Sequence, residues 1–358
     1  MRARDCPLAL PIAAVLALVA AAPVGAEGPM QMAPAAPAAK QTQAPHANAP
    51  KQAKQPLRPA AVLPPAQTAA APPGREPDLA YGAYQRGYYL TAFAEATKRV
   101  TATGDAKAMT LLGELYANGF GVPNNDGEAV RWYKLAAERG DREAMFALAM
   151  FRFGGRGGPR DSAEAARLLA AAAKLGHAAA AYDLGLLYLE GQQFPQDIPR
   201  AAELFQIAVR TGNPEAEYAL ATLYKDGRGV PQNAQEATRL MGLAAQAEFL
   251  DAEVEYAIAL FNGTGTPKDE ARAVALFRKA ALRGSPIAQD RLARVLAVGR
   301  GVPAPDPEQA IKWHLIAKAG GASDTFLDDF TAKQSPEIRA AAEKAAKPWL
   351  DLIKQRRS

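Results

Sequence analysis

Hydrophobic residues between positions 105 and 140 recur at the spacing of two amphipathic helices. The first stripe keeps the intervals i, i+4, i+7 and i+8 over a helix from Asp105 to about Asn118, and it comprises Ala108, Leu112, Leu115 and Tyr116. A second stripe follows after a loop, and it comprises Ala129, Trp132 and Ala136. The pattern predicts a helix–loop–helix unit whose two apolar faces pack together.

This unit returns every 36 residues. The interval is kept by a glycine column, Gly119, Gly155, Gly191, Gly227, Gly263 and Gly299, by a proline column that starts at Pro123, and by an alanine column that starts at Ala108. A glycine also begins each unit from Gly104 onward, except the fifth, where Glu248 stands. Such units bury their apolar faces only by stacking on each other. The sequence therefore predicts an all-α solenoid of about six helix-turn-helix repeats with helical caps.

The loop between the two helices has the composition of a helix end followed by a helix start. A glycine such as Gly119 stands where a C-cap needs a left-handed residue. After each proline comes a residue that can cap the second helix, in the column Asn125, Asp161, Asp197, Asn233, Asp269 and Asp306. Three positions on, a capping box is completed by Glu128, Glu164, Glu236 and Gln309. A glycine-rich phosphate cradle is the alternative interpretation, but it requires a preceding strand and one special copy.

The helical pair that recurs every 36 residues, with "AMTLLGELYANGFGVPNNDGEAVRWYKLAAERGD" in its first copy, resembles the Sel1-like repeat family, a relative of the tetratricopeptide repeats, over residues 104–321. The second copy departs from the pattern with Arg152 where others carry tyrosine, and the fifth lacks its starting glycine and leading tyrosine. The resemblance implies an α/α superhelix that binds proteins or peptides. In bacterial envelopes, members of the family include regulators of sensor kinases and adaptors for assembly or secretion.

Both flanks of the repeats are expected to act as caps, because the ends of a solenoid need covering. Residues 78–103 resemble an incomplete helical pair interrupted at Gly87. Residues 322–358 hold a predicted helix from Ser335 and Pro336 to about Ala346, after which Trp349 and Leu350 are expected to seal the last repeat. The chain closes on a basic tail, "KQRRS".

Residues 1–77 have the features of export and of disorder. Arg2 and Arg4 precede an apolar run, and small residues end at Ala26, which predicts a signal peptide over 1–26 that is cleaved before Glu27. The run is shorter than a membrane span, and Cys6 precedes it, whereas the cysteine of a lipoprotein follows such a run. Residues 27–77 are rich in Pro, Ala and Gln and form a predicted disordered linker. We therefore expect a periplasmic or secreted protein that is not a lipoprotein and has no stable membrane insertion.

Charge and cysteine usage narrow the possible partners. The formal net charge is +5 and the pI about 9.2, but residues 1–77 account for +4 of that charge. The high pI therefore does not describe a basic folded surface, and binding of nucleic acid loses its main support. Cleavage after Ala26 removes the only cysteine, which excludes disulfides and thiolate chemistry in the mature chain.

No arrangement of residues in the sequence points to catalysis. His46 lies in the predicted linker, His177 stands at a repeat start and suits a cap, and His314 is expected to be a half-buried packing residue. Asp328 and Asp329 are adjacent and so project in different directions from a helix. Aromatic columns such as Phe146, Tyr182 and Tyr218 favour packing between helices over a ladder that stacks on carbohydrate.

The predicted partner site lies on the first helix of each repeat. Two columns, equivalent to positions 111 and 114, are left over from the core stripe and vary from unit to unit, as a surface fitted to one irregular ligand would. Solvent-exposed positions without a binding role vary in the same way, and this is the alternative interpretation of the two columns. The predicted contacts are Glu114, Met150, Asp183, Leu186, Glu255, Ile258, Arg291 and Arg294, with an apolar centre, acidic contacts and a basic end.

These patterns together predict a non-enzymatic scaffold or adaptor of the bacterial cell envelope, with a protein or peptide partner on the concave face. We expect no cofactor, no metal, no nucleic acid and no small-molecule ligand. The alternatives are a periplasmic regulator of a sensor kinase and a module that binds glycan or peptidoglycan. Hydrolase activity, associated with cysteine-rich relatives, is disfavoured because the cysteines and a nucleophile are missing.

Overall fold

The chain is helical throughout the part that the computed structural model describes, residues 78–191 and 193–355, and no strand occurs in those ranges. The helices are α1 Leu79–Gln85, α2 Tyr89–Thr103, α3 Ala106–Asn118, α4 Asp126–Glu138, α5 Arg142–Gly154, α6 Ser162–Lys174, α7 Ala178–Glu190, α8 Ile198–Val209, α9 Pro214–Asp226, α10 Ala234–Gln246, α11 Leu250–Asn262, α12 Glu270–Leu282, α13 Pro286–Val298, α14 Pro307–Ala319, α15 Thr325–Ala332 and α16 Pro336–Gln355. The signal peptide and linker predicted for 1–26 and 27–77 lie outside the described residues.

Helices α3 to α14 form six antiparallel pairs, one for each predicted repeat. Each second helix packs on the first helix of its own pair. All but the last also pack on the first helix of the next pair, whereas α14 packs on α16. The apolar faces are thus buried by stacking along the chain. This arrangement confirms the predicted all-α solenoid.

The core of each pair is built around one position of the second helix. That column is buried in every repeat: Tyr133, Leu169, Phe205, Met241, Phe277 and His314. The opposite position on the first helix is small, because a Cβ at Gly113 would lie 2.7 Å from the Tyr133 ring, and one at Gly185 would lie 2.6 Å from Phe205. Trp132, predicted to belong to the buried stripe, is only half-buried, since the neighbouring Tyr133 occupies the inward position.

The cap residues act as predicted, but the capping boxes do so only in part. Each Asn or Asp in the column accepts a hydrogen bond from the backbone N–H three residues on, as Asp161 does from Glu164 at 2.8 Å. A capping box also needs a second hydrogen bond, from the backbone N–H of the cap residue to the glutamate side chain. Here that N–H donates instead to a carbonyl at the end of the first helix, as Asn125 does to Tyr116 at 3.0 Å. The box glutamates pair with arginines instead, for example Glu236 with Arg239.

A second glycine in the loop, present in every repeat except the third, where Gln193 stands, lets successive repeats approach closely. A Cβ at Gly157 would lie 2.4 Å from the carbonyl oxygen of Asp126, and one at Gly265 would lie 2.1 Å from that of Ala234. Both carbonyls belong to the first turn of the second helix in the preceding repeat. The same turn is held by side chains of the loop, since Arg156 bonds both carboxylate oxygens of Asp126 at 3.1 and 2.6 Å. The first loop glycines end helices as predicted, since Gly119 is the left-handed C-cap of α3, and the second loop glycines add a packing role between repeats that the sequence analysis did not include.

The fifth repeat tolerates a side chain where the others begin with glycine. Glu248 has a φ of 64°, in the left-handed region that favours glycine. Its carbonyl accepts a hydrogen bond of 2.7 Å from Arg283, whose guanidinium also reaches the fully buried Glu253 at 2.7 Å. Lys279 is a second partner of Glu253 at 2.6 Å. The buried carboxylate is thus paired, as burial of a charge requires.

Helical caps cover the two ends of the repeats. At the start, α1 and α2 meet at Gly87, and Tyr89 of α2 stacks on Phe120 of the first repeat loop at 4.5 Å. At the end, α16 runs through Pro348 to Gln355, beyond the stop predicted near Ala346. Packing outweighs the missing N–H of Pro348, because continuing the helix places Trp349 at 5.6 Å from Trp313 of the last repeat.

Candidate partner-binding surface

The first helices of the repeats present a shared face, which we call the first-helix face and define by the columns that start at positions 107, 110, 111 and 114. Column 110 points to the following repeat: the Thr110 hydroxyl donates to Asp141 at 2.9 Å, and Phe146 stacks on His177 at 4.5 Å. Column 111 points to the preceding repeat, since Glu255 bonds Lys225 at 2.9 Å. Column 114 lies between them. The face is therefore continuous from repeat to repeat.

The eight predicted contact residues are all on this face, but two of them are inaccessible. Leu186 is 4% exposed and Arg291 is 5% exposed, so both belong to the core more than to the surface. The close stacking of first helices explains this correction, because it buries side chains that single-helix geometry leaves outside. The other six are half-buried: Glu114, Met150, Asp183, Glu255, Ile258 and Arg294.

The predicted basic end is balanced by carboxylates of the chain itself. Arg294 is held by both carboxylate oxygens of Asp324, the cap of α15, with Nη2 to Oδ1 at 2.8 Å. Nη1 of Arg291 lies 3.6 Å from Asp290, and burial lowers the pKa of Arg291. Burial and the neighbouring Asp324 raise the pKa of Asp290. At this end of the face the last repeat thus contacts its cap, and the cations Arg291 and Arg294 lie beside the anions Asp290 and Asp324.

The middle of the face is acidic around a buried tyrosine. We call Tyr182, Asp183, Glu190 and Glu215 the Tyr182 cluster. Tyr182 is 6% exposed, and its hydroxyl has no hydrogen-bond partner among the described residues. Burial raises the pKa of Tyr182, and the charges of Glu215, Asp183 and Glu190 raise it further, so the hydroxyl lies within the field of all three carboxylates.

The carboxylates of the Tyr182 cluster lack cationic partners at contact distance in the described chain. Burial raises the pKa of Asp183 to about 7, with a further increase from Glu215, against the opposing effect of His177. Burial also raises the pKa of Glu190. The ring of His177 is directed elsewhere, since its Nε2 lies 3.0 Å from Glu143 and its Nδ1 caps α7 by accepting a hydrogen bond from the backbone N–H of Ala180. The carboxylates of the cluster are therefore not paired with a cation of the described chain.

A related group lies one repeat further on, and we call Tyr218, Asp226, Asp251 and Glu255 the Tyr218 cluster. Burial raises the pKa of Tyr218, and the charges of Glu255, Asp251 and Asp226 add to that increase. Tyr218 is half-buried and its ring lies 5.3 Å from Phe249, and Glu255 is paired with Lys225. The second cluster is thus more open than the first and in part neutralised.

Sequence reasoning found Asp183 and Glu255 but missed four of the surrounding carboxylates. The signal was present in the repeat itself, because Glu190 and Asp226 share one column, and Glu215 and Asp251 share another. They are equivalent to positions 118 and 107 of the first repeat, and they flank the columns of positions 111 and 114 that the sequence analysis singled out. Only the stacking of successive first helices shows that they surround the same tyrosines.

The remaining candidate groups for chemistry have structural roles. His314 is 3% exposed, deeper than the half-buried position predicted, and its Nε2 lies 2.9 Å from Asp328 of α15. Asp328 also accepts a bond from Lys318 at 2.7 Å, and these contacts lower the pKa of Asp328. Within the described ranges, no group of His, Cys, Asp and Glu side chains is arranged to hold a metal ion.

Comparison with known proteins agrees with this architecture. The Sel1 repeat family matches six consecutive segments, 106–141, 142–177, 178–213, 214–249, 250–285 and 286–321, which together span more than half of the chain. This chain belongs to the Sel1 repeat family. The repeat bounds lie two residues after the starts inferred from the glycine column. Sel1 repeats generally mediate protein–protein interactions, and the fold is typically a non-catalytic scaffold.

Two solved structures have the same fold. A Sel1 repeat protein from Oxalobacter formigenes is 25% identical, with a TM-score of 0.54, and the match covers 68% of this chain and 97% of that one. The protein c5321, a protective antigen of uropathogenic Escherichia coli strains displaying an SLR fold, is 24% identical with a TM-score of 0.51 over 74% of this chain and 64% of that one. No curated protein matched the sequence. Among the described helices, none combines the length and the apolar character that a membrane crossing requires.

Proposed function

We propose that this Sel1 repeat chain is a non-enzymatic scaffold of the bacterial cell envelope that binds a partner protein or peptide on the concave side of its solenoid, along the first-helix face. The observation that carries this proposal is the Tyr182 cluster, a set of carboxylates around a buried hydroxyl that the described chain leaves without cationic partners. Several other charged side chains of the first-helix face are paired within the chain, as Arg294 is with Asp324 and Glu255 with Lys225.

The envelope location rests on the sequence of the segment 1–26, with two arginines, an apolar run and small residues before Glu27. A role as regulator of a sensor kinase and a role as assembly adaptor both require a protein partner on the same face. A glycan-binding role has less support, because stacking on sugars needs accessible rings, and Tyr182 is 6% exposed while Tyr218 packs against Phe249.

Site-specific photo-cross-linking in living cells tests the proposal. A benzophenone side chain at Thr222, in column 114 of the fourth repeat, is expected to capture a discrete envelope protein. The matched control places the same group at Lys134, an exposed position on the second helix α4, where no capture is expected. Equal capture from both positions, or capture from Lys134 alone, would contradict binding along the first-helix face. Fractionation of the same cells checks the location, and recovery of the chain in the cytoplasm with the segment 1–26 intact would contradict export.

A further inference from the structure

The Tyr182 and Tyr218 clusters repeat the same chemistry one repeat apart. In each, a tyrosine of column 110 is surrounded by carboxylates from its own helix and from the next first helix, Glu215 for the first and Asp251 for the second. Both pairs of neighbouring repeats therefore offer an acidic site on the first-helix face. The similarity of the two sites points to a ligand with two like groups.

The ligand chemistry follows from what the sites lack. Tyr182 offers a buried hydroxyl without a partner, and an unmade hydrogen bond at such a group is unfavourable. The surrounding carboxylates accept hydrogen bonds and favour a positive charge. No group in the described chain is arranged for a metal ion. An ammonium or guanidinium group supplies several donors and one positive charge at the end of a long side chain.

The spacing of the two sites limits how such groups are arranged along a ligand. Packed helices lie about 10 Å apart. An extended segment in the polyproline-II conformation has three residues per turn and advances about 3.1 Å per residue, so side chains three residues apart project from the same side about 9 Å apart and reach neighbouring sites. We propose, on the basis of the function proposed above, that the first-helix face of repeats three to five receives an extended segment of a partner protein that carries two lysine or arginine side chains about three residues apart, one at each tyrosine cluster.

Synthetic peptides test the charge and the spacing. The probe is a short fluorescein-labelled Ala/Ser peptide with lysines at positions i and i+3, and its binding to the full-length protein is measured by fluorescence anisotropy. Acetylation of both lysines is expected to raise the Kd at least tenfold, because it removes the charge and keeps the length. A peptide with adjacent lysines is expected to bind at least threefold more weakly than the probe. Equal affinity for the acetylated peptide would overturn the proposal, and equal affinity for adjacent lysines would overturn the two-site arrangement.

Variants of the protein locate the binding site. Glu215→Gln and Asp251→Asn are each expected to raise the Kd of the probe at least threefold, and the double variant at least tenfold. Tyr182→Phe is expected to raise it about threefold by removing only the hydroxyl. The matched control is Glu138→Gln, which removes an exposed charge from the second helix α4 and is expected to leave the Kd unchanged. Circular dichroism and melting curves verify that each variant is folded. Unchanged binding in the folded double variant would place the site elsewhere.

A segment of the chain itself is a competing occupant. Lys51 and Lys54 are three residues apart in the segment before the described residues. If deletion of 27–77 strengthens probe binding and Lys51→Ala with Lys54→Ala does the same, this segment is the occupant and the assignment to a partner is wrong. The result expected for a separate partner is an unchanged Kd. Failure of the basic peptide together with successful cross-linking at Thr222 would refute the ligand chemistry alone and leave the proposed function standing.

Discussion

At the scale of single residues, Asp183 is the group whose ionisation the fold opposes most clearly. Burial raises its pKa to about 7 from an ordinary value of 3.8, and Glu215 adds to the increase. Between those two pH values the folded chain keeps a proton that the unfolded chain has lost. The free energy of unfolding therefore falls as the pH rises through this window, and the whole penalty is present above about pH 7.

This penalty predicts a pH-dependent gain of stability in Asp183→Asn. The amide keeps the shape of the side chain but has no charge to bury. Since each pKa unit corresponds to about 1.4 kcal/mol and Asp183 is only half-buried, we expect a stabilisation on the order of 1–3 kcal/mol at pH 8. Near pH 3.5 Asp183 is protonated in the folded wild type and mostly protonated in the unfolded wild type, so the difference from the variant is expected to be small.

Urea denaturation at the two pH values measures the effect. Asp351→Asn, at an exposed position on α16, serves as the control and is expected to change stability equally little at both. A variant no more stable than the wild type at pH 8 would show that Asp183 is ionised in the folded chain without penalty. The Tyr182 cluster would then be less deeply buried than its geometry indicates.

At the scale of helices and loops, the junction between repeats depends on a close backbone approach. The second loop glycine of one repeat lies against the first turn of the second helix in the repeat before it. Gly265 has a φ of 67° and leaves no room for a Cβ, whereas Gly212 has a φ of 74° and has no atom within 4 Å of where a Cβ would stand. The two glycines thus separate the effect of crowding from that of backbone conformation.

We therefore expect Gly265→Ala to destabilise the chain much more than Gly212→Ala. A left-handed alanine costs about 1–2 kcal/mol in either position, and forcing two elements apart adds about 1–3 kcal/mol at Gly265. Chemical denaturation of both variants measures the difference. Equal losses would mean that the loops do not hold the repeats together, and that the glycine column reflects backbone conformation alone.

The elements themselves were predictable from sequence, because caps and apolar stripes are local signals. The columns that begin at Gly119 and Asn125 located the ends of helices in every repeat. Contacts between repeats were less accessible to sequence reasoning. Position 133 lies one residue from the predicted inward position, and Arg291 is buried because a neighbouring helix covers it. The helix α16 continues through Pro348 because Trp313 lies beside it. Each of these differences arises from a surface that one repeat does not contain.

At the scale of the whole molecule, charge is divided between the ends of the chain and the face of the solenoid. The segment 1–77 accounts for +4 of the net charge of +5, and the carboxylates of the two tyrosine clusters lie in the middle of the repeats. The last repeat pairs its arginines with Asp290 and Asp324. The acidic region of the first-helix face is therefore bounded on the C-terminal side by a neutral junction with the cap.

The N-terminal end of the solenoid differs from the C-terminal end in how completely it is covered. At the C-terminal end, α16 lies over the last repeat. At the N-terminal end, α1 and α2 bury small residues such as Ala83 and Ala92 but leave Leu90 73% and Leu79 58% exposed. Whether residues before Asp78 contact this apolar edge decides whether the solenoid is an independent unit.

We expect the solenoid to fold without residues 27–77. That segment is rich in Pro, Ala and Gln and has few large apolar side chains, so it has little surface to bury against Leu79 and Leu90. Deleting it is expected to leave the helical circular dichroism signal per molecule and the melting midpoint nearly unchanged. A fall of several degrees would show that the segment packs on the folded part. If Leu90→Ser in the longer chain reproduced that fall, while the exposed Leu352→Ser on α16 did not, the apolar edge of α1 and α2 would be the place where it packs.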